Sequence, residues 1–248
     1  MAAGALPQVD VPTAKELLEQ IHQHVSPEEI DTLVAELADK ARAMQERLLA
    51  APLDGTAVRG AIERTFVGRR RASAILGARG DAAVGAWVED LLSGPEPVAV
   101  RFERFCASTG SLSEDRAAEL ASELLHFTAP ERHPLWARWV WSTESRTGAL
   151  PLLIGEDYEL EADGLGASYE RVGAAIAALH DSPEAGAFRR GGGGRLGTDV
   201  MLACTYGVYM RTVLGLKMTQ EFNALVPPMA QLVRRLLGTY SGHREEVR

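Results

Sequence analysis

Ser26-Pro27-Glu28-Glu29-Ile30-Asp31-Thr32-Leu33-Val34-Ala35-Glu36-Leu37-Ala38-Asp39-Lys40-Ala41-Arg42-Ala43-Met44-Gln45-Glu46-Arg47-Leu48 decides the fold class. Ser26 followed three residues later by Glu29 is a capping box, and Pro27 suits the first helical position, where a missing amide proton costs nothing. Behind that start, Ile30, Leu33, Val34, Leu37, Ala41, Met44 and Leu48 recur at spacings of three and four. Such spacing paints one apolar stripe along a long helix, which must end before Pro52.

The same spacing extends to both sides. A shorter helix is expected from about Thr13 to His24, and another from about Thr56 through Arg69-Arg70-Arg71, ended by Gly77 and Gly80. Asp81 then opens a helix carrying Val84, Trp87, Val88, Leu91 and Leu92, which stops at Gly94-Pro95. Further helices are expected over Val98 to Ala107, after the Ser111/Glu114 pair, and again from about Ser168. The most apolar helix, about 199–216, is apolar on nearly every face and therefore belongs at the centre. Thr219 to Val226 and Pro228 to Leu237 complete the pattern, with Gly238 as the final stop.

The expected fold class is mainly α: one domain over 1–248, an irregular helical bundle around the central 199–216 helix. A small β-hairpin over about 138–154 is admitted, because Thr143 to Gly148 is a polar, glycine-ended link between two short apolar runs. Residues 1–10 and 239–248 are expected to fray, and 181–197 to form a flexible glycine-rich loop.

Composition narrows the function classes. The 248 residues are 46% hydrophobic, as in an ordinary globular protein that folds without a metal or disulfide. Acidic residues outnumber basic ones, 34 to 26, for a net charge of -8, which argues against broad nucleic-acid binding. Cys106 and Cys204 are the two cysteines, both in apolar surroundings that suit buried thiols of a reducing compartment; whether they pair stays open. Met1 to Asp10 has neither a basic start nor a long apolar run, and the apolar run Val200 to Met210 is cut short by Arg211. The expectation is a cytoplasmic protein with no membrane segment.

Four constellations are candidates for chemistry. Glu19/His22 and Glu123/His126 are each a Glu-x-x-His pair, which puts a carboxylate and an imidazole on one helix face. Two such pairs and two more glutamates would build a di-metal site, but the glutamate helix that should precede the first pair is missing, so no metal is expected. Gly192-Gly193-Gly194-Arg195-Leu196-Gly197 matches Gly-x-Gly-x-x-Gly and precedes a helix, and Arg189, Arg190 and Arg195 would add positive charge for an anion. No strand precedes it, no Lys-Ser or Lys-Thr follows it, and Asp199 would repel phosphate. Arg69-Arg70-Arg71 could contact phosphates, yet no nucleic-acid motif or aromatic interleaving accompanies it. No Gly-x-Ser-x-Gly elbow and no cysteine–histidine neighbour suggests a nucleophile, so no catalytic residue or cofactor is assigned.

The fourth is the segment from His126 through His133 and Trp136 to Trp139 and Trp141, where Thr128 and Glu131 form a further capping pair. Indoles beside histidines suit a pocket wall or a partner surface, and equally a packed corner of the core. The stretch Leu124 to Trp136 resembles a segment of some helix-hairpin-helix DNA-repair proteins. That family's glycine-rich hairpin and lysine–aspartate pair have no evident counterpart, so the resemblance implies no activity.

Because every catalytic signature is incomplete, the leading expectation is a helical interaction or accessory protein acting through a partner protein. The alternative is a protein or enzyme that binds an anionic small molecule. Its site would combine Arg189, Arg190, Gly193, Gly194, Arg195, Gly197 and Thr198 with His133, Trp136 and Trp139. A nucleic-acid regulator acting through Arg69-Arg71 comes last.

Overall fold

The computed structural model describes residues 5–50, 53–77, 80–190, 193–217 and 227–240. Among them it contains ten α-helices and no strand, so the protein is mainly helical. They are α1 (Val11–His22), α2 (Pro27–Leu48), α3 (Gly55–Ile62), α4 (Gly68–Gly77), α5 (Asp81–Ser93), α6 (Val98–Ser108), α7 (Glu114–Thr128), α8 (Leu165–Asp181), α9 (Gly194–Lys217) and α10 (Met229–Leu237).

The α2 stripe buries Ile30, Leu33, Leu37, Ala41, Met44 and Leu48, and its capping box closes both ways: Glu29 N donates to Ser26 Oγ at 3.2 Å and Ser26 N to Glu29 Oε2 at 2.9 Å. That face packs on α7, α3 and α9. The single helix expected from Thr56 to Gly77 is two, because Thr65 turns the chain. Its hydroxyl donates to the Ile62 carbonyl at 2.7 Å and accepts from Gly68 N at 2.9 Å, ending α3 and starting α4. On α9, Val200, Met201, Leu202, Ala203 and Cys204 are buried in succession, so that stretch is enclosed on every side. The segment Thr219 to Val226 lies outside the described residues. No helix among the described residues is long and apolar enough to cross a membrane.

Three local expectations need correction. The 138–154 hairpin does not form strands. Ser142 and Thr147 make one isolated bridge, Val140 and Trp141 donate back to the Ala137 carbonyl in a tight turn, and Leu150–Leu152 is a 3₁₀ turn. The reason is burial without alternation: Trp139, Val140, Trp141 and Ser142 are all buried, whereas a half-exposed strand buries every second residue. The N-terminal stretch is not wholly free either. Val9 bridges to Ile154, Asp10 N donates to the Leu153 carbonyl and Gly155 N to the Gln8 carbonyl, each at 2.9 Å. Nor is 181–197 loop throughout, since Pro183–Ala187 is a 3₁₀ helix and α9 begins at Gly194, four residues before Thr198.

Candidate ligand-binding cleft

The C-terminal turn of α7 faces the first turns of α9 across a short non-helical segment, Ala129 to Pro134, that leaves α7 and wraps around its end. That segment is held from inside. The Pro134 carbonyl accepts from Ser122 Oγ at 3.2 Å and from Tyr169 OH at 3.1 Å, while Trp136 N donates to Ser122 Oγ at 2.5 Å. Phe102 stacks on Tyr169 with ring centroids 4.3 Å apart and on Trp136 at 6.0 Å, backing the segment with aromatic rings.

Beneath it lies a buried ion pair. His126 Nε2 stands 3.0 Å from Asp199 Oδ2, with side chains 1% and 2% exposed. The two atoms face each other off the line of a well-directed hydrogen bond. His126 Nδ1 donates to the His133 carbonyl at 2.8 Å. A carbonyl oxygen only accepts, so Nδ1 carries a proton, and the carboxylate facing Nε2 favours a second proton there. Burial pulls its pKa down, but the Asp199 charge, their contact and the His133 carbonyl together outweigh burial and the nearby Lys40, leaving it above the ordinary histidine value. Nδ1 is committed to the His133 carbonyl, and Nε2 faces the Asp199 carboxylate.

Above the pair opens a cleft of about 290 Å³, walled by Val98, Pro130, Pro134, Tyr169 and Ile176. Glu131, Arg132, His133, Glu170, Arg195 and Asp199 supply its polar lining. Apart from His126, no donor among the described residues meets the Asp199 carboxylate, and no acid meets the guanidinium groups of Arg132 and Arg195. His133 is held at about 4 by burial and by the positive charges of Arg132, Arg101 and His126, so its imidazole is neutral at pH 7.

The helix start that the sequence offered as an anion cradle already holds a carboxylate. Glu131 Oε1 accepts from Arg195 N at 3.3 Å, and a Cβ on Gly194, whose φ is +50°, would lie 2.5 Å from the same oxygen. The nearby glycines serve close packing. At Gly197 a Cβ would fall 1.9 Å from the Phe188 carbonyl oxygen, and at Gly193 3.0 Å from it. Thr198 is inside α9, buried, and shares a 2.7 Å hydrogen bond with His180 Nδ1. Arg189 donates to the Ser182 carbonyl at 3.1 Å, and Arg190 is exposed.

The expected combined site is therefore brought together in part. Arg195 and His133 line one cleft, while Trp136 and Trp139 are core residues, Trp136 donating through Nε1 to the Trp141 carbonyl at 2.8 Å. Gly192 and Gly191 lie outside the described residues. The two Glu-x-x-His pairs do not meet: Glu19 and His22 are exposed on α1, whereas Glu123 binds Lys40 at 3.0 Å and Phe66 N at 2.6 Å. Among the described residues no group of three or more His, Cys, Asp or Glu side chains could hold a metal ion. Arg69, Arg70 and Arg71 are exposed on α4. Cys106 and Cys204 are free and buried, burial pushing the Cys204 thiol up to about 12. Asp199, Glu131 and Arg132 were not singled out as binding groups by sequence, because their meeting depends on elements far apart in the chain. Comparison with protein-family models, with curated proteins and with solved structures gives no match.

Proposed function

We propose that the protein binds a small zwitterionic metabolite of amino-acid type in the cleft between the Ala129–Pro134 segment, α8 and the start of α9. The observation that carries this reading is the Asp199 carboxylate, buried at the cleft with a single, poorly directed partner. A buried carboxylate has room for several donors and is costly when they are missing. An ammonium group would supply them, and Arg132 and Arg195 offer uncommitted guanidinium groups for the ligand's acid. Pro134, Tyr169 and Ile176 suit its apolar part, and about 290 Å³ suits a metabolite-sized guest. His126, buried between the His133 carbonyl and Asp199, supports binding over proton abstraction. Glu131 at the start of α9 disfavours a phosphorylated guest there.

The test is a thermal-shift screen of the free amino acids. At least one should raise the melting temperature, Arg195→Ala should lose most of that shift, and Arg70→Ala should keep it. No shift with any amino acid, or equal loss in both variants, would remove the reading.

A partner-protein role is the second reading. It is favoured by Leu6 and Val11, large apolar side chains that stay 82% and 38% exposed near the start of the described chain. A partner should co-purify and be lost in Leu6→Ser with Val11→Ser; the absence of any co-purifying partner would count against this reading.

A further inference from the structure

On the other side of the Ala129–Pro134 segment lies a second cleft, of about 450 Å³, where α2 ends against α5 and α7. Leu48, Leu49 and Leu92 form an apolar wall, and Arg101, Arg132 and His133 line the end formed by the start of α6 and the dividing segment.

Arg101 is the informative residue. It is only 9% exposed, so its charge has largely left water. Nε donates to the Glu96 carbonyl at 2.9 Å and Nη1 to the Leu91 carbonyl, and no acceptor among the described residues meets Nη2. No carboxylate among them pairs with this guanidinium. Two neutral carbonyls orient this largely buried cation without neutralising it, and its unpartnered Nη2 keeps contact with the solvent of the cleft, where an acceptor can reach it. Arg132, exposed on the dividing segment, adds a second guanidinium that no acid pairs, beside the neutral His133 ring. Glu89 is the one acid among the described lining residues, and it makes no ion pair with either arginine.

We propose that this cleft binds an amphipathic monocarboxylate, with its acid on Arg101 Nη2 and Arg132 and its hydrocarbon chain along Leu48, Leu49 and Leu92. Planar guanidinium groups match a carboxylate in geometry and in charge, and an apolar wall on one side selects an acid with a hydrocarbon tail over a free inorganic anion. The two clefts share Arg132 and His133, but Arg195 and Asp199 line only the first and Leu49 only the second, so Arg195→Ala and Leu49→Asp tell the two sites apart.

Calorimetric titration of the full chain with sodium decanoate tests it, with 1-decanol and decylammonium as head-group controls. Decanoate should bind at one saturable site, and decanol at least about tenfold more weakly, as expected for loss of a charge-assisted contact. Arg132→Gln should weaken decanoate by a similar factor. Leu49→Asp should weaken it too, with little effect on folding because Leu49 is 62% exposed. Arg195→Ala should leave decanoate affinity unchanged. The proposal is overturned if decanoate does not saturate, if decanol or decylammonium binds as tightly, if Arg132→Gln or Leu49→Asp binds like the parent, or if Arg195→Ala weakens binding equally.

Discussion

His126 Nε2 and Asp199 Oδ2, 73 residues apart in sequence, meet at 3.0 Å and tie α7 to α9 through two charges removed from water. Asp199→Asn leaves an imidazolium buried without a counter-charge and should cost about 3–5 kcal/mol. The histidine's folded pKa lies above its unfolded value, so the stabilisation is fully present below about pH 6.5 and is lost as pH rises through the folded value. Denaturant unfolding at pH 6 and pH 9 should show the gap between parent and variant narrowing at the higher pH. An unchanged gap would mean the ring is not charged in the folded state.

Glu119 predicts a pH effect of the same sign in a lower window. Burial and the neighbouring Glu123 push its carboxyl up to about 7, with Arg138 at 3.1 Å offsetting part of the rise. Between the unfolded value near 4.5 and about 7 the folded state holds more protons, so stability falls as pH rises across that interval. His133, held at about 4, acts in the opposite direction between pH 4 and 6.5 and masks the effect in the parent. Relative to the parent, Glu119→Gln should therefore gain on the order of 2 kcal/mol between pH 5 and pH 8. A pH-independent difference would place Glu119 near the ordinary carboxylate range.

Gly197→Ala should destabilise by about 1–3 kcal/mol, because the new methyl meets the Phe188 carbonyl rather than a yielding side-chain tip. Gly186→Ala, where nothing lies within 4 Å, should change stability by about 0.5 kcal/mol or less. Similar losses at the two positions would show that Phe188 does not pack on the first turns of α9.

Both thiols should be silent towards a thiol reagent in the native state and react together on unfolding. Cys106 and Cys204 are buried, and burial raises both pKa values, so the reactive thiolate is scarce. Rapid modification of either one before unfolding would contradict its placement.

The helices were legible wherever local spacing governs. The stripe from Ile30 to Leu48 is buried at nearly every expected position, and Gly238 follows α10 as anticipated. The break at Thr65 is not legible in the sequence, because one hydroxyl bonding in two directions has no periodic signature. The region around Trp139 to Ser142 misled for a related reason: a polar link between apolar runs suggests a hairpin, but packing on both sides of the segment prevails. The site was less readable still. Glu131 reads as part of a capping pair with Thr128, whereas its carboxylate sits at the start of a helix 64 residues later. Arg101 looks like an ordinary helix-face arginine until α5 and α6 close around it.

Glu131 also changes what the glycine-rich stretch can be. With a carboxylate already resting on the amide of Arg195, the start of α9 is a berth with a resident, and any outside anion must first evict a group tethered to the same chain. A tethered competitor is always present at high local concentration, so a phosphate-bearing solute would have to compete with Glu131 for that amide. Glu131→Gln would replace that anion with a neutral amide and convert a self-occupied helix start into a vacancy open to bidders from solution.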